Sequence, residues 1–264
     1  MDLTVVKCGG TLDTGPVCAD VARLGGRVVV VHGGAPEIAR LASELGVRQR
    51  TLVSPAGVKS RHTDPAMLDV VTLAMTGRAK PRLLHALTSC GVRAVGLTGL
   101  DAGLLRARRK AAQRTVVDGR TVVVRDDHSG RVVSVEAGLL RALLDGGFTP
   151  VVSPPAAGED GRPLNVDADR AAAAVAAALE ADRLLLLTAA PGVLTDASDE
   201  TSALARCELL PEGLVPYAAS GGMHRKLIAA REALLGGVRE VIIADGRIPR
   251  PLTEISGTTV EIRP

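Results

Sequence analysis

Four short stretches of the chain combine charged side chains with glycines in a way that suits phosphate binding. They are Lys7-Cys8-Gly9-Gly10, His32-Gly33-Gly34, the turn at residues 165–169, and the Gly221-Gly222 pair that precedes Lys226. The first two each follow an apolar run typical of a buried parallel strand, and open α/β sheets bind ligands beyond the carboxyl ends of such strands. A lysine supplies a point charge there, and glycines let backbone N–H groups approach an anion closely.

Taken singly, each stretch has an ordinary structural explanation. A strand that ends in a glycine turn can leave Lys7 at the surface, and Gly221-Gly222 can be only a loop before a helix. Asp167 and Asp169 can cap the following helix, although we expect Asp167 to be the pure cap and Asp169 to act in the site. Two strand–Gly-Gly–helix units at one sheet edge nevertheless favour a site that holds an anion from two sides.

Several common site types are missing from the sequence. No Gly-x-x-x-x-Gly-Lys-Ser/Thr pattern, no Gly-x-Gly-x-x-Gly after a strand and no Gly-x-Ser-x-Gly elbow occurs. Walker-type sites, dinucleotide sites and serine hydrolases are therefore not indicated. The four cysteines form no Cys-x-x-Cys pair, so we expect no zinc site, no disulfide framework and no other metal held by the protein. A reducing cytoplasm fits this cysteine usage best.

The composition restricts the partners that the chain can have. Of its 264 residues, 46% are apolar but only 1% are aromatic, so stacking of single-stranded nucleic acid is not expected. A formal net charge of +3 is too small to indicate a nucleic-acid partner. The chain starts directly on a strand, and no apolar run reaches the ~18 residues of a membrane helix, so we expect neither a targeting signal nor a membrane partner.

Alternating strands and helices predict an α/β fold, a three-layer αβα sandwich with a mostly parallel central sheet. Between residues 105 and 135 the period shifts towards 2, and two turn signals, Asp118-Gly119 and Ser129-Gly130, predict a small antiparallel β flap of two or three strands. Residues 47–59 look irregular and basic. The Gly/Pro-rich stretch 154–163 predicts a loop between two lobes, 1–163 for the acceptor substrate and 164–264 for the nucleotide, on one continuous sheet.

In their order and spacing, the motifs resemble those of the amino acid kinase family over nearly the whole chain. The similarity is greatest to N-acetylglutamate kinases and to relatives that phosphorylate aminoadipate or glutamate held through its amino group on a small acidic carrier protein. The matching motifs are Lys7-x-Gly9-Gly10, His32-Gly33-Gly34, Arg61-x-Thr63, Asn165-x-Asp167-x-Asp169, Gly222-Met223-x-x-Lys226 and Gly257-Thr258.

The resemblance implies a role for each matching residue. Lys7 and Lys226 would flank the transferred phosphoryl group, and Asp169 would orient them. Arg61 and Asn165 would bind the α-carboxylate of the substrate amino acid. The phosphates would be held by the backbone of Gly9, Gly10, Gly33 and Gly34. The nucleotide would lie against Thr188, Gly192, Gly222 and Met223. ATP would be the donor, with Mg²⁺ carried on its phosphates.

Two positions depart from the family pattern. Many members carry an aspartate shortly after the strand that ends here near Leu187, whereas this chain has Thr188-Ala189-Ala190. We therefore expect either weaker Mg-ATP binding or a substitute carboxylate such as Asp196 or Asp199. Ala35 stands where many members have a third glycine, and the expected effect is modest because alanine keeps its N–H group.

Two acceptors remain open within the kinase interpretation, free N-acetylglutamate and the carrier-linked amino acid. The stretches 60–63, 96–101 and 106–110 resemble the carrier-dependent branch. An acidic carrier needs a basic landing surface that steers encounter by charge. We expect that surface to comprise Arg48, Arg50, Lys59, Arg106, Arg108, Arg109 and Lys110. A solvated strand edge that discourages aggregation explains the 106–110 run equally well.

The family resemblance also implies a homodimer. An interpretation of a different class is a non-catalytic regulatory protein on the same fold, which the missing aspartate at position 189 motivates. The presence of Lys7, Asp169 and Lys226 argues against it.

Overall fold

The computed structural model describes residues 2–25, 27–54, 59–110, 112–117, 120–213, 215 and 221–263. The strands are β1 (Leu3–Cys8), β2 (Arg27–His32), β3 (Thr51–Val53), β4 (Lys59–Arg61), β5 (Ala94–Gly99), β6 (Leu105–Arg109), β7 (Gln113–Val117), β8 (Arg120–Val124), β9 (Gly130–Val135), β10 (Thr149–Gly158), β11 (Pro163–Leu164), β12 (Arg183–Thr188), β13 (Arg206–Leu209), β14 (Glu240–Asp245) and β15 (Gly257–Ile262). The helices are α1 (Thr14–Leu24), α2 (Ala35–Glu44), α3 (Pro65–Leu73), α4 (Lys80–Ser89), α5 (Ala137–Asp145), α6 (Ala168–Leu179) and α7 (Gly222–Leu235). A wider helical segment, Ala74–Ala79, joins α3 to α4, and short 3₁₀ turns lie at Asp101–Gly103 and Glu200–Ser202.

One mostly parallel sheet forms the centre of the fold. Its strands follow the order β13-β15-β14-β12-β1-β2-β10-β6-β9, and β5 and β11 also pair with β10. The pairs β14–β15, β6–β9 and β10–β11 are antiparallel, whereas β1 pairs in parallel with both β2 and β12. Lys7, near the end of β1, therefore lies at the same sheet edge as the turns that follow β2 and β12.

Side chains on the two faces of the sheet enter two separate cores. Val5 packs in the core with α5, α6 and α7, whereas the next residue, Val6, packs on the other face with α1 and α4. Alternate residues of a strand point to opposite faces, so continuous valine runs fill both cores at once. This arrangement confirms the predicted three-layer αβα sandwich.

Aspartate caps set the beginnings of two helices near the site. Asp64 accepts a hydrogen bond from the N–H group of Met67 (2.9 Å) at the start of α3. Asp167 Oδ1 accepts from the N–H groups of Asp169 (3.0 Å) and Arg170 (3.1 Å) at the start of α6, which confirms that it is a cap. Its Oδ2 atom also lies 3.2 Å from Arg225 Nε, so the expectation of a pure cap is wrong. The cap fixes the first turn of α6, where the Asp169 side chain begins.

The flap predicted at 105–135 consists of four strands rather than two or three. β6 pairs with β9 and also with β10, so this pair extends the main sheet. β7 and β8 form a separate two-stranded sheet. The predicted Asp118-Gly119 turn lies outside the described residues, and Gly130 begins β9 instead of completing a turn.

Two stretches expected to be irregular contain strands. β10 continues through Pro154 to Gly158, because Ala156 and Ala157 pair with β11 and Ala157 and Gly158 pair with β6. The predicted loop at 154–163 is therefore wrong in its first half, while the division into lobes at 163/164 stays a prediction. The basic 47–59 stretch contains β3, which pairs antiparallel with β4 beginning at Lys59.

Candidate active site

Two lysines meet on one buried carboxylate at the carboxyl edge of the sheet. Lys7 Nζ lies 2.8 Å from Asp169 Oδ1, and Lys226 Nζ lies 3.1 Å from Oδ1 and 3.3 Å from Oδ2 of the same carboxylate. The three residues are each less than 8% exposed. They come from β1, the first turn of α6 and the second turn of α7, so the fold brings together residues that are far apart in the sequence.

Mutual attraction keeps these three groups charged despite their burial. Burial opposes the charge of Asp169, but the two ammonium groups outweigh it and hold the pKa of the carboxyl below its usual range. Burial likewise opposes the charge of Lys7, but the Asp169 carboxylate outweighs it and raises the pKa. Burial lowers the pKa of Lys226, since attraction to Asp169 is offset by repulsion from Lys7. The triad carries one net positive charge, which suits an anionic ligand.

The two predicted Gly-Gly turns pack against each other beside the lysines. A Cβ atom at Gly10 would lie 3.1 Å from Gly34 Cα, and one at Gly34 would lie 2.5 Å from Met75 Sδ. The N–H group of Gly33 donates to the Cys8 carbonyl (3.2 Å), so the turn itself uses this predicted phosphate donor. Gly34 caps α2, and a helix N-terminus attracts anions.

Lys7, Asp169 and Lys226 form a clamp, and two of its members, Lys7 and Asp169, line a cleft of about 530 Å³. Arg61 and Asn165, the predicted carboxylate ligands, both line it. The Arg61 Nη1 atom donates to Gln49 Oε1 (2.9 Å), and the Asn165 Nδ2 atom donates to Thr63 Oγ1 (3.0 Å). These contacts hold both polar side chains in the lining of the cleft, which Lys7 lines as well.

The structure divides the predicted basic surface into two parts. Arg50, Lys59 and Lys110 line the cleft. Arg106 and Arg108 are exposed on β6, where Arg108 pairs with Glu159 (3.1 Å). The remaining members are Arg48, which is exposed, and Arg109, which donates to the carbonyl groups of Asp127 and Arg125. Only the first three of these basic residues therefore surround the same cavity as the clamp.

The predicted nucleotide contacts lie outside the lining of that cleft. Thr188 ends β12, and Gly192 adopts a φ of 154° where a Cβ atom would collide with Thr258 Oγ1. Gly222 and Met223 begin α7, one turn before Lys226. Thr188, Gly192, Gly222 and Met223 are therefore not among the residues that line the cleft with Arg61 and Asn165, although Arg225 in the first turn of α7 is.

The carboxylates considered as substitutes for the missing aspartate have local partners. Asp196 accepts hydrogen bonds from Ser198, and Asp199 accepts from Thr201, within an exposed loop. A third carboxylate, Asp245, lies beside Thr188 in the parallel register of β14 and β12. Its partner is the Arg247 side chain, whose Nε atom is 2.9 Å from Asp245 Oδ1 and whose Nη1 atom is 2.6 Å from Glu200 Oε1.

Sequence reasoning missed two residues that shape the cleft. Gln49 holds Arg61, and Arg225 projects from α7 into the same cavity. The adjacency of Arg225 to Lys226 was the only local signal for it.

Among the residues that the structure describes, no group of three His, Cys, Asp or Glu side chains could hold a metal ion. No described helix combines the length and the apolar character needed to cross a bilayer.

The sequence motifs and the geometry lead to a comparison with known families. A model of the amino acid kinase family matches residues 2–245. The chain belongs to the amino acid kinase family. This amino acid kinase is 40% identical over 260 residues to the LysW-aminoadipate kinase of Deinococcus radiodurans, covering 96% of this chain and 88% of the relative. It is 41% identical over 250 residues to the acetylglutamate kinase of Methanopyrus kandleri, covering 92% of this chain and 95% of the relative.

A solved structure supports the fold independently of close sequence similarity. The carbamate kinase of Giardia superposes on this amino acid kinase with a TM-score of 0.66 at 16% identity, covering 99% of each chain. The amino acid kinase fold that the motifs predicted is therefore confirmed.

Proposed function

We propose that this amino acid kinase transfers the γ-phosphoryl group of ATP to the side-chain carboxylate of aminoadipate or glutamate that is attached through its amino group to a small acidic carrier protein. The product would be an acyl phosphate. The observation that carries this proposal is the buried clamp, in which Lys7 and Lys226 lie 2.8 and 3.1 Å from one carboxylate oxygen of Asp169.

The acceptor chemistry needs little help from a base. A carboxylate is already ionised at neutral pH, so no general base is required. An oxygen of the acceptor would form a bond to the γ-phosphorus while the bond from phosphorus to the β,γ-bridging oxygen breaks and ADP leaves. Charge on the transferred phosphoryl oxygens would be neutralised by Lys7 and Lys226, because phosphoryl transfer depends mainly on positioning and electrostatic stabilisation. Asp169 would hold the two ammonium groups in place by its charge and would form no covalent bond during the transfer.

Backbone donors would complete the phosphate site. The N–H groups of Gly10 and Gly34 would donate hydrogen bonds to the phosphates, and the N-terminus of α2 would add its dipole. The Gly33 N–H group already donates to the Cys8 carbonyl, so it would have to leave that hydrogen bond to bind a phosphate. Gly9 would act through the turn that it shares with Gly10. The nucleotide would contact Thr188, Gly192, Gly222 and Met223.

The donor set also suits a metal that arrives with the substrate. Ammonium and N–H groups bind anions and cannot ligate a cation, so Mg²⁺ would be carried on the ATP phosphates. When bound there, Mg²⁺ would neutralise part of the phosphate charge. The binding of Mg-ATP would therefore depend on the phosphate contacts, since position 189 lacks a carboxylate.

Two observations favour the carrier-linked acceptor. Arg50, Lys59 and Lys110 line the same cleft as Arg61 and Asn165, where they would attract an acidic carrier. One of the relatives is named as a LysW-aminoadipate kinase. We propose that these three residues form the inner part of the docking surface and that Arg48, Arg106, Arg108 and Arg109 contribute at longer range.

The alternative acceptor is free N-acetylglutamate, which the 41% identity to a protein named acetylglutamate kinase favours. Arg61 and Asn165 would bind its α-carboxylate in the same way. A cytoplasmic homodimer remains an expectation for either acceptor.

Trapping of the acyl phosphate by hydroxylamine separates these possibilities. The purified protein would be supplied with Mg-ATP and either the charged carrier or free N-acetylglutamate, and hydroxamate would be measured. Hydroxamate formed at least tenfold more efficiently with the carrier supports the proposal. Preference for N-acetylglutamate would replace it with the alternative, and no hydroxamate with either would favour a regulatory protein.

A further inference from the structure

Arg225 joins three elements that meet at the cleft. It lies in the first turn of α7, directly before Lys226. Its Nη1 atom donates to the carbonyl oxygen of Lys59 in β4 (3.1 Å), and its Nε atom lies 3.2 Å from Asp167 Oδ2 at the cap of α6. One side chain therefore connects the helix that carries Lys226, the helix that carries Asp169, and the strand that ends in Arg61.

The guanidinium group retains donors that could face a ligand. Arginine has five N–H donors, and among the hydrogen bonds of the described residues Arg225 donates one, to Lys59. Its Nε atom is buried, and the angle to Asp167 does not give a hydrogen bond despite the short distance. The side chain lines the cleft together with Arg61 and Asn165. It is thus held between Lys59 and Asp167 at a position where it lines the cleft.

We infer that Arg225 is an acceptor-positioning residue, which holds β4 and Arg61 in register with α7 and Lys226. This inference rests on the proposed function, because it assumes that Arg61 binds the acceptor and that Lys226 contacts the transferred group. The tether fixes the distance between the bound carboxylate and the clamp. Its loss should weaken acceptor binding and misplace the acceptor, whereas the proposed nucleotide contacts lie outside the lining of the cleft and should be spared.

Hydrogen exchange tests the tether without any turnover. In Arg225→Gln the backbone amides of β3 and β4 should exchange about tenfold faster than in the unaltered protein, because β4 loses a hydrogen-bonded anchor. The matched control is Arg231→Gln, since Arg231 lies on the same helix and donates to the Gly213 carbonyl (2.9 Å) without lining the cleft. Unchanged exchange in Arg225→Gln, or equal acceleration in the control, would overturn the inference.

Steady-state kinetics test the consequence for the reaction. With whichever carboxylate the protein phosphorylates, Arg225→Gln should raise the KM for the acceptor by about 10-fold or more and lower kcat, as expected for loss of a hydrogen bond to a charged group. The KM for ATP should change less than about twofold, and Arg225→Lys, which keeps the charge, should be intermediate. An equal rise in both KM values, or no rise for the acceptor, would contradict the positioning role. If the unaltered protein phosphorylates no carboxylate, the proposed function fails, while hydrogen exchange still decides whether the tether exists.

Discussion

Replacing Asp169 by asparagine removes the charge that holds the clamp together while keeping the shape of the side chain. In the native site two ammonium groups share this carboxylate, at 2.8 Å for Lys7 and 3.1 Å for Lys226. In Asp169→Asn the two buried lysines would lose their counter-ion, so that one of them would release its proton rather than face the other as a second ammonium group. We therefore expect a loss of stability as well as a loss of turnover.

The size of the stability loss follows from two limits. Removing one partner of a buried ion pair costs about 3–5 kcal/mol, because the other charge is left without compensation. The cost also has an upper limit, because one of the two lysines can release its proton and thereby remove the uncompensated charge. Deprotonating a lysine of ordinary pKa at pH 7 costs about 5 kcal/mol. We expect Asp169→Asn to lower the free energy of unfolding by about 3–5 kcal/mol at pH 7, and the melting temperature on the order of 10 °C.

The pH dependence identifies the mechanism of this loss. In the variant, the folded state would lack a proton that the unfolded state still binds, so the free energy of unfolding should rise by about 1.4 kcal/mol per pH unit from pH 7 towards 10. The deficit relative to the native protein should shrink accordingly. In the native protein the pKa of Asp169 is lowered, so its stabilising contribution is present above the ordinary aspartate pKa and is lost as the pH falls through the folded value.

Urea denaturation at several pH values measures both effects. The control is Asp145→Asn, because Asp145 pairs with Arg27 at a similar distance of 2.9 Å but is largely exposed. Exposed pairs contribute about 0–1 kcal/mol, so this variant should stay within that range. If Asp169→Asn also lost less than about 1 kcal/mol, or if its deficit did not shrink with rising pH, our account of the buried clamp would be refuted.

The remaining predictions concern packing and surface charge. Gly34→Ala should lower the free energy of unfolding by about 1–3 kcal/mol, because its Cβ atom would lie 2.5 Å from Met75 Sδ, whereas Gly77→Ala meets nothing within 4 Å and should not destabilise. Chemical denaturation compares the two, and equal effects would contradict the packing argument. Arg50→Glu should raise the KM for the carrier-linked acceptor most strongly at low salt, whereas the same change at Arg106, outside the cleft, should have a smaller effect. Kinetics at two ionic strengths measure this difference, and an unchanged KM in Arg50→Glu would remove that residue from the docking surface.

The main strands and helices were predictable because their burial leaves a clear pattern in the sequence. The valine runs of β1 and β2 supply both faces of a covered sheet, and Asp64 and Asp167 signal the starts of α3 and α6. The β3–β4 pair left no such pattern, since each strand has three residues. It is anchored by a contact between the Val53 N–H group and Thr115 Oγ1 (2.9 Å), 62 residues away.

The proline-rich end of β10 illustrates the same limitation. Pro154 and Pro155 locally favour a loop because they lack N–H donors. Pairing of the following residues with β6 and β11 continues the strand to Gly158, and these partners are distant or later in the chain. Local propensity is overridden by long-range pairing in this stretch.

The sequence motifs pointed to the three residues of the clamp, and the resemblance already implied that Asp169 orients the two lysines. The order of the motifs identified Lys7, Asp169 and Lys226, whereas their convergence on a single carboxylate depends on how β1, α6 and α7 pack. The basic run at 106–110 looked like one surface. Arg106 and Arg108 are exposed on β6 outside the cleft, however, whereas Lys110, which follows the end of β6, lines it.

Hydroxamate formation by Lys226→Met tests directly whether the clamp stabilises the transferred phosphoryl group. Removal of this lysine leaves Lys7 and Asp169 as a neutral buried pair, so the fold should remain intact and the melting temperature should not fall appreciably. Turnover should drop by about 10³-fold or more, because one of the two charges that stabilise the transferred phosphoryl group is gone. A folded Lys226→Met protein with near-normal turnover would contradict the clamp.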